Sequence, residues 1–279
     1  MAVKRSKAVP EAAAVARLPS YRNPPVAEVV AGAIFDASIP GFLIPHVGLF
    51  WGRLKKDFPE TQHFMPLIPP SGEAKWVDSA LGVPLPRVWF VSKSKHNIIQ
   101  LQGDCLFYNW RKLADNDVYP RHPAIVDGFI RYADEFLAFL KAEGLPEPTP
   151  VSCELTYTNY VPHGVGWESM SDVASIFTDF CWKDGKDRVL PEPKAMNWTA
   201  TFPLPEDNGT LTAQLLQVVK RADAAPALRL DLTARGLGKA TSLKELRPWF
   251  EVARKAIVTG FADLTTEEAQ TRLWGREDV

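Results

Sequence analysis

Five histidines and three cysteines are the side chains best able to bind metal or act as nucleophiles. Their spacing supports neither role. His46, His63, His96, His122 and His163 are scattered with no pair at ligand spacing, and Cys105, Cys153 and Cys181 form no C-x-x-C pair. A structural zinc needs four such ligands in short, recurrent spacings, so neither a metal nor a cofactor is expected. Each cysteine lies in or beside an apolar stretch, as in Asp104-Cys105-Leu106-Phe107 and Phe180-Cys181-Trp182. That is the setting of a buried, protonated thiol. A His–Cys dyad assembled across the fold stays open. G-x-G-x-x-G, G-x-S-x-G and H-E-x-x-H do not occur. Gly236-Leu237-Gly238-Lys239-Ala240 departs from a phosphate loop twice. Thr233 stands where the first glycine belongs, and Ala240 where a hydroxyl would hold magnesium.

The stretch from Arg87 to Arg111 is the most unusual in the chain. Trp89, Phe90, Phe107, Tyr108 and Trp110 are interleaved with Lys93, Lys95, His96 and Arg111. Aromatic and basic groups on one sheet face can stack on and neutralise a nucleotide or single strand. Lys93, Lys95 and His96 are the residues a nucleic acid would meet. Strand alternation favours a different outcome, with the aromatic rings inside and the lysines in solvent. Gln100, Gln102, Asn109, Trp110 and Arg111 are then the candidates for contact with a ligand or a protein partner.

Turn chemistry and periodicity define the elements that must position these groups. Residues 85–92, 97–102 and 105–111 read as antiparallel strands, the last two joined by Gly103-Asp104, a tight hairpin in which Gly103 is expected at positive φ. Val26 to Ala37 alternates, with Val26, Val30 and Ile34 on one face and Val29, Ala33 and Phe35 on the other. A helix is predicted over 42–58 and a proline-rich irregular connection over 59–86. A long helix from Pro123 to Glu143 carries the stripe Ile125, Phe129, Tyr132, Phe136, Phe139 and Leu140. Strands follow at 151–161, 196–204, 210–221 and around Leu228 to Leu232. Capping boxes at Ser242/Glu245 and Thr265/Glu268 announce two further helices.

Strands followed by a long helix, twice over, are α+β order: antiparallel sheets with long packing helices, in two similar halves. The expected division is a mobile basic arm over 1–22, an α+β half over 23–161, a connection over 162–193 and a second half over 194–279. The 32 basic and 33 acidic residues nearly cancel, which argues against a protein that mainly coats nucleic acid. No apolar run reaches the ~18 residues of a membrane helix. The start lacks the apolar segment of a secretory leader, so a cytoplasmic protein without a membrane partner is expected.

Several short motifs add a family likeness. Asn23-Pro24-Pro25-Val26-Ala27-Glu28 leads to Phe58-Pro59-Glu60. Ile99-Gln100-Leu101-Gln102, Asn109-Trp110-Arg111, Tyr119-Pro120 and Leu273-Trp274-Gly275-Arg276 follow. Together they resemble an uncharacterised, sporadically distributed bacterial protein family of about this length. The resemblance implies a prokaryotic cytosolic protein and brings no activity, cofactor or catalytic residue with it. Patchy distribution is typical of genes that travel with defence or toxin–antitoxin loci. The leading expectation is therefore a non-enzymatic binding protein, an adaptor or regulator of a protein partner encoded nearby. A nucleic-acid-binding accessory protein and an enzyme with a small-molecule pocket between the two halves are the alternatives.

Overall fold

A computed structural model of the chain describes residues 17–67, 85–180, 189–219 and 225–277. Its elements are β1 (Val26–Phe35), α1 (Ile44–Leu54), β2 (Glu60–Phe64), β3 (Arg87–Val91), β4 (Asn97–Gln102), β5 (Cys105–Arg111), α2 (Arg121–Ala142), β6 (Pro150–Pro162), β7 (Asn197–Pro203), β8 (Thr210–Val219), β9 (Pro226–Gly236), α3 (Arg247–Leu264) and α4 (Glu267–Arg272). All nine strands join one antiparallel sheet in the order β2-β3-β4-β5-β1-β6-β9-β8-β7. The fold is α+β. Both stretches expected to be separate halves contribute to a single sheet, whose centre is the β1–β6 pair.

Register determines which residues share a face. Leu101, Leu106, Ala33 and Cys153 stand in one cross-strand row, as do Trp110, Val29, Tyr157 and Leu232. This is the helix side. α1 reaches it through Phe50, 6.1 Å from Phe90. α2 reaches it at Gly128, beside the Tyr108 ring, and α3 at Gly260, beside Leu211. α2 and α3 also touch, with Phe129 5.4 Å from Phe250. Phe50, Phe129, Phe136, Phe139 and Phe250 are fully buried, so the predicted stripe of α2 is the core of the molecule. The opposite face carries the row Trp89, Gln100, Phe107, Gly32, Glu154 and Arg235.

Several local expectations change. Part of the predicted irregular connection is the edge strand β2, exposed at every residue; without a buried face it has no alternating signal. Residues 68–84 of that connection lie outside the described residues. The hairpin at Gly103-Asp104 forms with Gln102 opposite Cys105, but Gly103 is not among the positive-φ glycines. Its missing side chain serves close packing, since a Cβ there would sit 3.0 Å from Ser38 Oγ. A register shift between Val26 and Glu28 moves Val26 to the buried side with Val29. The cap of α4 is Thr266, whose hydroxyl accepts from Ala269 N, while the Thr265 hydroxyl donates to Phe261 O. Ser242 makes no side-chain cap; Glu245 holds Thr241 through its N–H and its hydroxyl, both 2.9 Å.

The expected arm is anchored where it is described. Arg22 N and Asn23 N donate to the carbonyls of Gly275 and Trp274, and Glu277 N donates to Ser20 O. Tyr21 is buried between Phe261 and Trp274, at 5.3 and 6.3 Å. Its hydroxyl meets Gln270 Oε1, which also accepts from Arg276, and the Gln270 amide donates to Ala262 O and Thr265 O.

Candidate functional site

The residues singled out between Arg87 and Arg111 do not form one surface. Gln100, Gln102 and Asn109 lie on the face away from the helices and are buried. Trp89 Nε1 donates to Gln100 Oε1 (2.8 Å), Gln100 Nε2 to Asn109 Oδ1 (2.8 Å), and Asn109 Nδ2 to Glu28 Oε1 (2.7 Å). Gln102 donates to Asp104 at 2.7 Å and exchanges bonds with the Leu67 backbone. Polar groups so matched stabilise one another and offer little to an outside partner. Trp110 is buried on the opposite, helix side, 5.5 Å from Tyr119.

Arg111, Lys93, Lys95 and His96 gather at the β3–β4 turn. Arg111 Nε donates to Lys95 O (2.9 Å), and His96 Nδ1 donates to Arg111 O (3.1 Å). Lys95 Nζ lies 3.7 Å from Glu60, and Lys93 is exposed. His96 shares a surface pocket with Tyr108 and Trp110, but Lys93 and Lys95 do not line it, and Phe90, Phe107 and Trp110 are buried. Cys105 and Cys153 are buried free thiols. Burial pushes the Cys105 thiol well above its usual range and that of Cys153 up to about 12, so both stay protonated. Cys181 lies outside the described residues. Among the described residues, no three His, Cys, Asp or Glu side chains are grouped to hold a metal. No helix among them is long and apolar enough to cross a membrane.

A different site emerges on the helix side, at the centre of the sheet. A cavity of about 300 Å³ lies between the start of α2, the inner face of α3 and strands β1, β6 and β9. Much of its wall is apolar: Pro24, Pro25, Leu232, Ile257, Val258 and Phe261. Into it converge Tyr119, Arg121 and His122 from the entry to α2, Tyr157 and Asn159 from β6, and Arg254 from α3. The Tyr119 hydroxyl donates to the Tyr157 oxygen (2.9 Å), the Tyr157 oxygen is 3.5 Å from His122 Nδ1, and His122 Nε2 is 3.3 Å from Glu251 Oε1. A carboxylate only accepts, so Nε2 carries the imidazole proton and Nδ1 accepts from Tyr157. The chain of donors thus runs in one direction, from Tyr119 to Glu251.

Burial sets the charge state of this row. It lowers His122 to about 4, helped by Arg254 and Arg247 and opposed by Glu251. It raises Tyr157 to about 12, and raises Tyr119 further with the Tyr157 hydroxyl beside it. At neutral pH the imidazole and both phenols are uncharged hydrogen-bonding groups. Arg121 enters α2 at φ 70, a left-handed conformation that costs a side-chain-bearing residue about 1–3 kcal/mol. Its guanidinium donates to Tyr21 O (3.1 Å) and lies 5.8 Å from the Tyr119 ring centre. Asn159, which lines the cavity, donates through Nδ2 to Tyr157 O and Leu230 O.

Sequence reasoning passed over this cluster, although two signals were present. His122 continues the apolar stripe of α2 three residues before Ile125, and Tyr157 alternates with Cys153 and Leu155 on the core face. Both are polar groups where the pattern asks for apolar ones. A larger groove of about 600 Å³ runs between the β7–β8 turn and α3, with Phe202, Leu204 and Leu211 in its wall, but no comparable row of buried polar groups enters it. No family model and no curated protein matches the chain. The motifs Asn23-Pro24-Pro25 and Tyr119-Pro120 meet at the cavity, whose wall includes Pro24, Pro25 and Tyr119.

Proposed function

We propose that this is a small-molecule-binding protein, with its ligand held in the cavity at the centre of the sheet. The carrying observation is the convergence of Tyr119, Tyr157 and His122 on an otherwise mostly apolar space of about 300 Å³. Ligand sites of this kind combine apolar walls with a few placed polar groups. A general acid or base works best with a pKa near the operating pH. His122, at about 4, and Tyr157, at about 12, lie far from neutrality on either side. These values favour recognition over proton transfer, and with it a non-enzymatic regulator or adaptor. The family resemblance suggests a bacterial defence or toxin–antitoxin-type locus as its setting.

The location also favours a reading in two halves. The boundary differs from the expected one, since β6, placed in the first half by the 23–161 division, groups here with the second. β1 is flanked outward by the meander β5-β4-β3-β2, and β6 by β9-β8-β7. Each meander is followed in sequence, after β5 or β9, by a long helix on the same side of the sheet. The cavity sits at the junction of the two units, where a pocket between similar halves belongs.

The test is native mass spectrometry of the protein purified without denaturant from its own host. Val258 is half-buried in the cavity wall, so Val258→Trp fills the space with little disturbance to α3. The wild type is expected to carry a stoichiometric small molecule and the folded variant to have lost it. Equal occupancy in the two proteins, or none in either, would count against the reading.

A further inference from the structure

We propose that the ligand of this cavity is an anion, an apolar or aromatic body bearing one carboxylate or phosphate, clamped at the cavity mouth by Arg121 and Arg254. The inference rests on the cavity being a ligand site and concerns the chemical class of that ligand.

Among the described residues, the charged side chains in the wall of the cavity are two guanidiniums and no carboxylate. Glu251, the acid beside His122 and Arg254, does not line the cavity. It is engaged by His122 at 3.3 Å and by Arg254 at 3.7 Å. Arg121 has no carboxylate partner among the described residues, and its hydrogen bond goes to the Tyr21 carbonyl. An arginine held at a pocket mouth by a single neutral carbonyl keeps most of its five donors available. Both arginines line the cavity beside Tyr119 and lower its phenol pKa against the effect of burial, so both positive charges are felt at that hydroxyl. The first turn of α2 adds to the positive potential there, because no side chain caps it.

Two guanidiniums without a wall carboxylate repel a cationic ligand and reward an anionic one with charge-assisted bonds. The lining beyond them, including Tyr21, Pro24, Leu232, Ile257 and Phe261, asks for an apolar or aromatic body. The Tyr119 oxygen donates its proton to Tyr157 and has only acceptor capacity to offer. A hydroxyl or amine on the ligand body would satisfy it. The ligand class that meets all three requirements is a small apolar or aromatic acid with a second, hydrogen-donating substituent.

The experiment uses two isosteric probes, 2-naphthoate and 2-naphthamide, which differ in charge and little else. Binding to the full chain is measured by ligand-observed NMR and calorimetry at low and moderate salt. The carboxylate is expected to bind about tenfold tighter than the amide. Arg121→Gln should remove that preference, while Arg121→Lys retains part of it. Equal binding of the two probes, with no effect of Arg121→Gln or Arg254→Gln, would overturn the anion clamp and leave the cavity reading standing. Carboxylate binding unchanged in Val258→Trp would locate the probe elsewhere and also overturn the clamp. If neither probe binds at millimolar concentration, the clamp is overturned, while the cavity reading is judged separately by the native mass spectrometry of wild type and Val258→Trp.

Discussion

His122 is almost fully buried, with its imidazole between the Tyr157 hydroxyl and Glu251. Its folded pKa of about 4 lies below the ordinary 6.5. Between these values the unfolded chain takes up a proton that the folded chain refuses. The stability due to neutral His122 is therefore fully present above pH 6.5 and is lost as pH falls toward 4. Arg254 and Arg247 deepen the effect and Glu251 opposes it. The displacement corresponds to about 3 kcal/mol across that window. Urea unfolding at pH 7, 5.5 and 4.5 should show the wild type losing stability on acidification, and His122→Asn should show a shallower slope. Parallel slopes would mean that other groups carry the acid sensitivity.

Among the elements, α2 does the most positioning, because it both fills the core and delivers Arg121 and His122 to the cavity. Its seating depends on Gly128, where a Cβ would come within 2.4 Å of Tyr108 Cε1. In an isolated helix, replacing glycine by alanine gains about 1 kcal/mol; overpacking against a ring costs about 1–3 kcal/mol. The second effect is the larger, so Gly128→Ala should destabilise the protein by roughly 1–2 kcal/mol. In a Tyr108→Ala background the ring is gone, and the same substitution should become neutral or stabilising. A double-mutant cycle in urea checks the change of sign, and additive effects would show that the ring does not limit the approach.

Across the whole molecule, β1 and β6 pair at the centre of one sheet, and Phe129 of α2 stacks edge-on against Phe250 of α3. Neither flank has a core it can keep when the other opens. Unfolding should accordingly be one cooperative event, with tryptophan fluorescence and far-ultraviolet circular dichroism giving coincident urea transitions. Trp51, Trp89 and Trp110 report on one flank and Trp198 and Trp249 on the other. Two separated transitions would show that the flanks fold as independent units. The same continuity gives the cavity a shared wall, so ligand binding should raise the midpoint of the single transition.

Local pattern alone was enough to identify the α+β class, the hairpin at Gly103-Asp104, the stripe of α2 and the alternation of β6. Each follows from periodicity and turn chemistry within a few residues, and such signals survive without knowledge of distant contacts. Strand β2 escaped because an edge strand without a buried face leaves no period to detect. The candidate residues Gln100, Gln102 and Asn109 were visible as polar groups on strands, but sequence could not say that they would satisfy one another. The cavity was less legible still. Tyr21, Tyr119, Tyr157 and Arg254 are separated by 98, 38 and 97 positions, and only the pairing of β1 with β6 and the packing of α2 on α3 bring them together. Composition and periodicity determined which elements form; the meeting of remote polar side chains was decided by tertiary structure, because burial, charge state and hydrogen-bond partnership are properties of the assembled space.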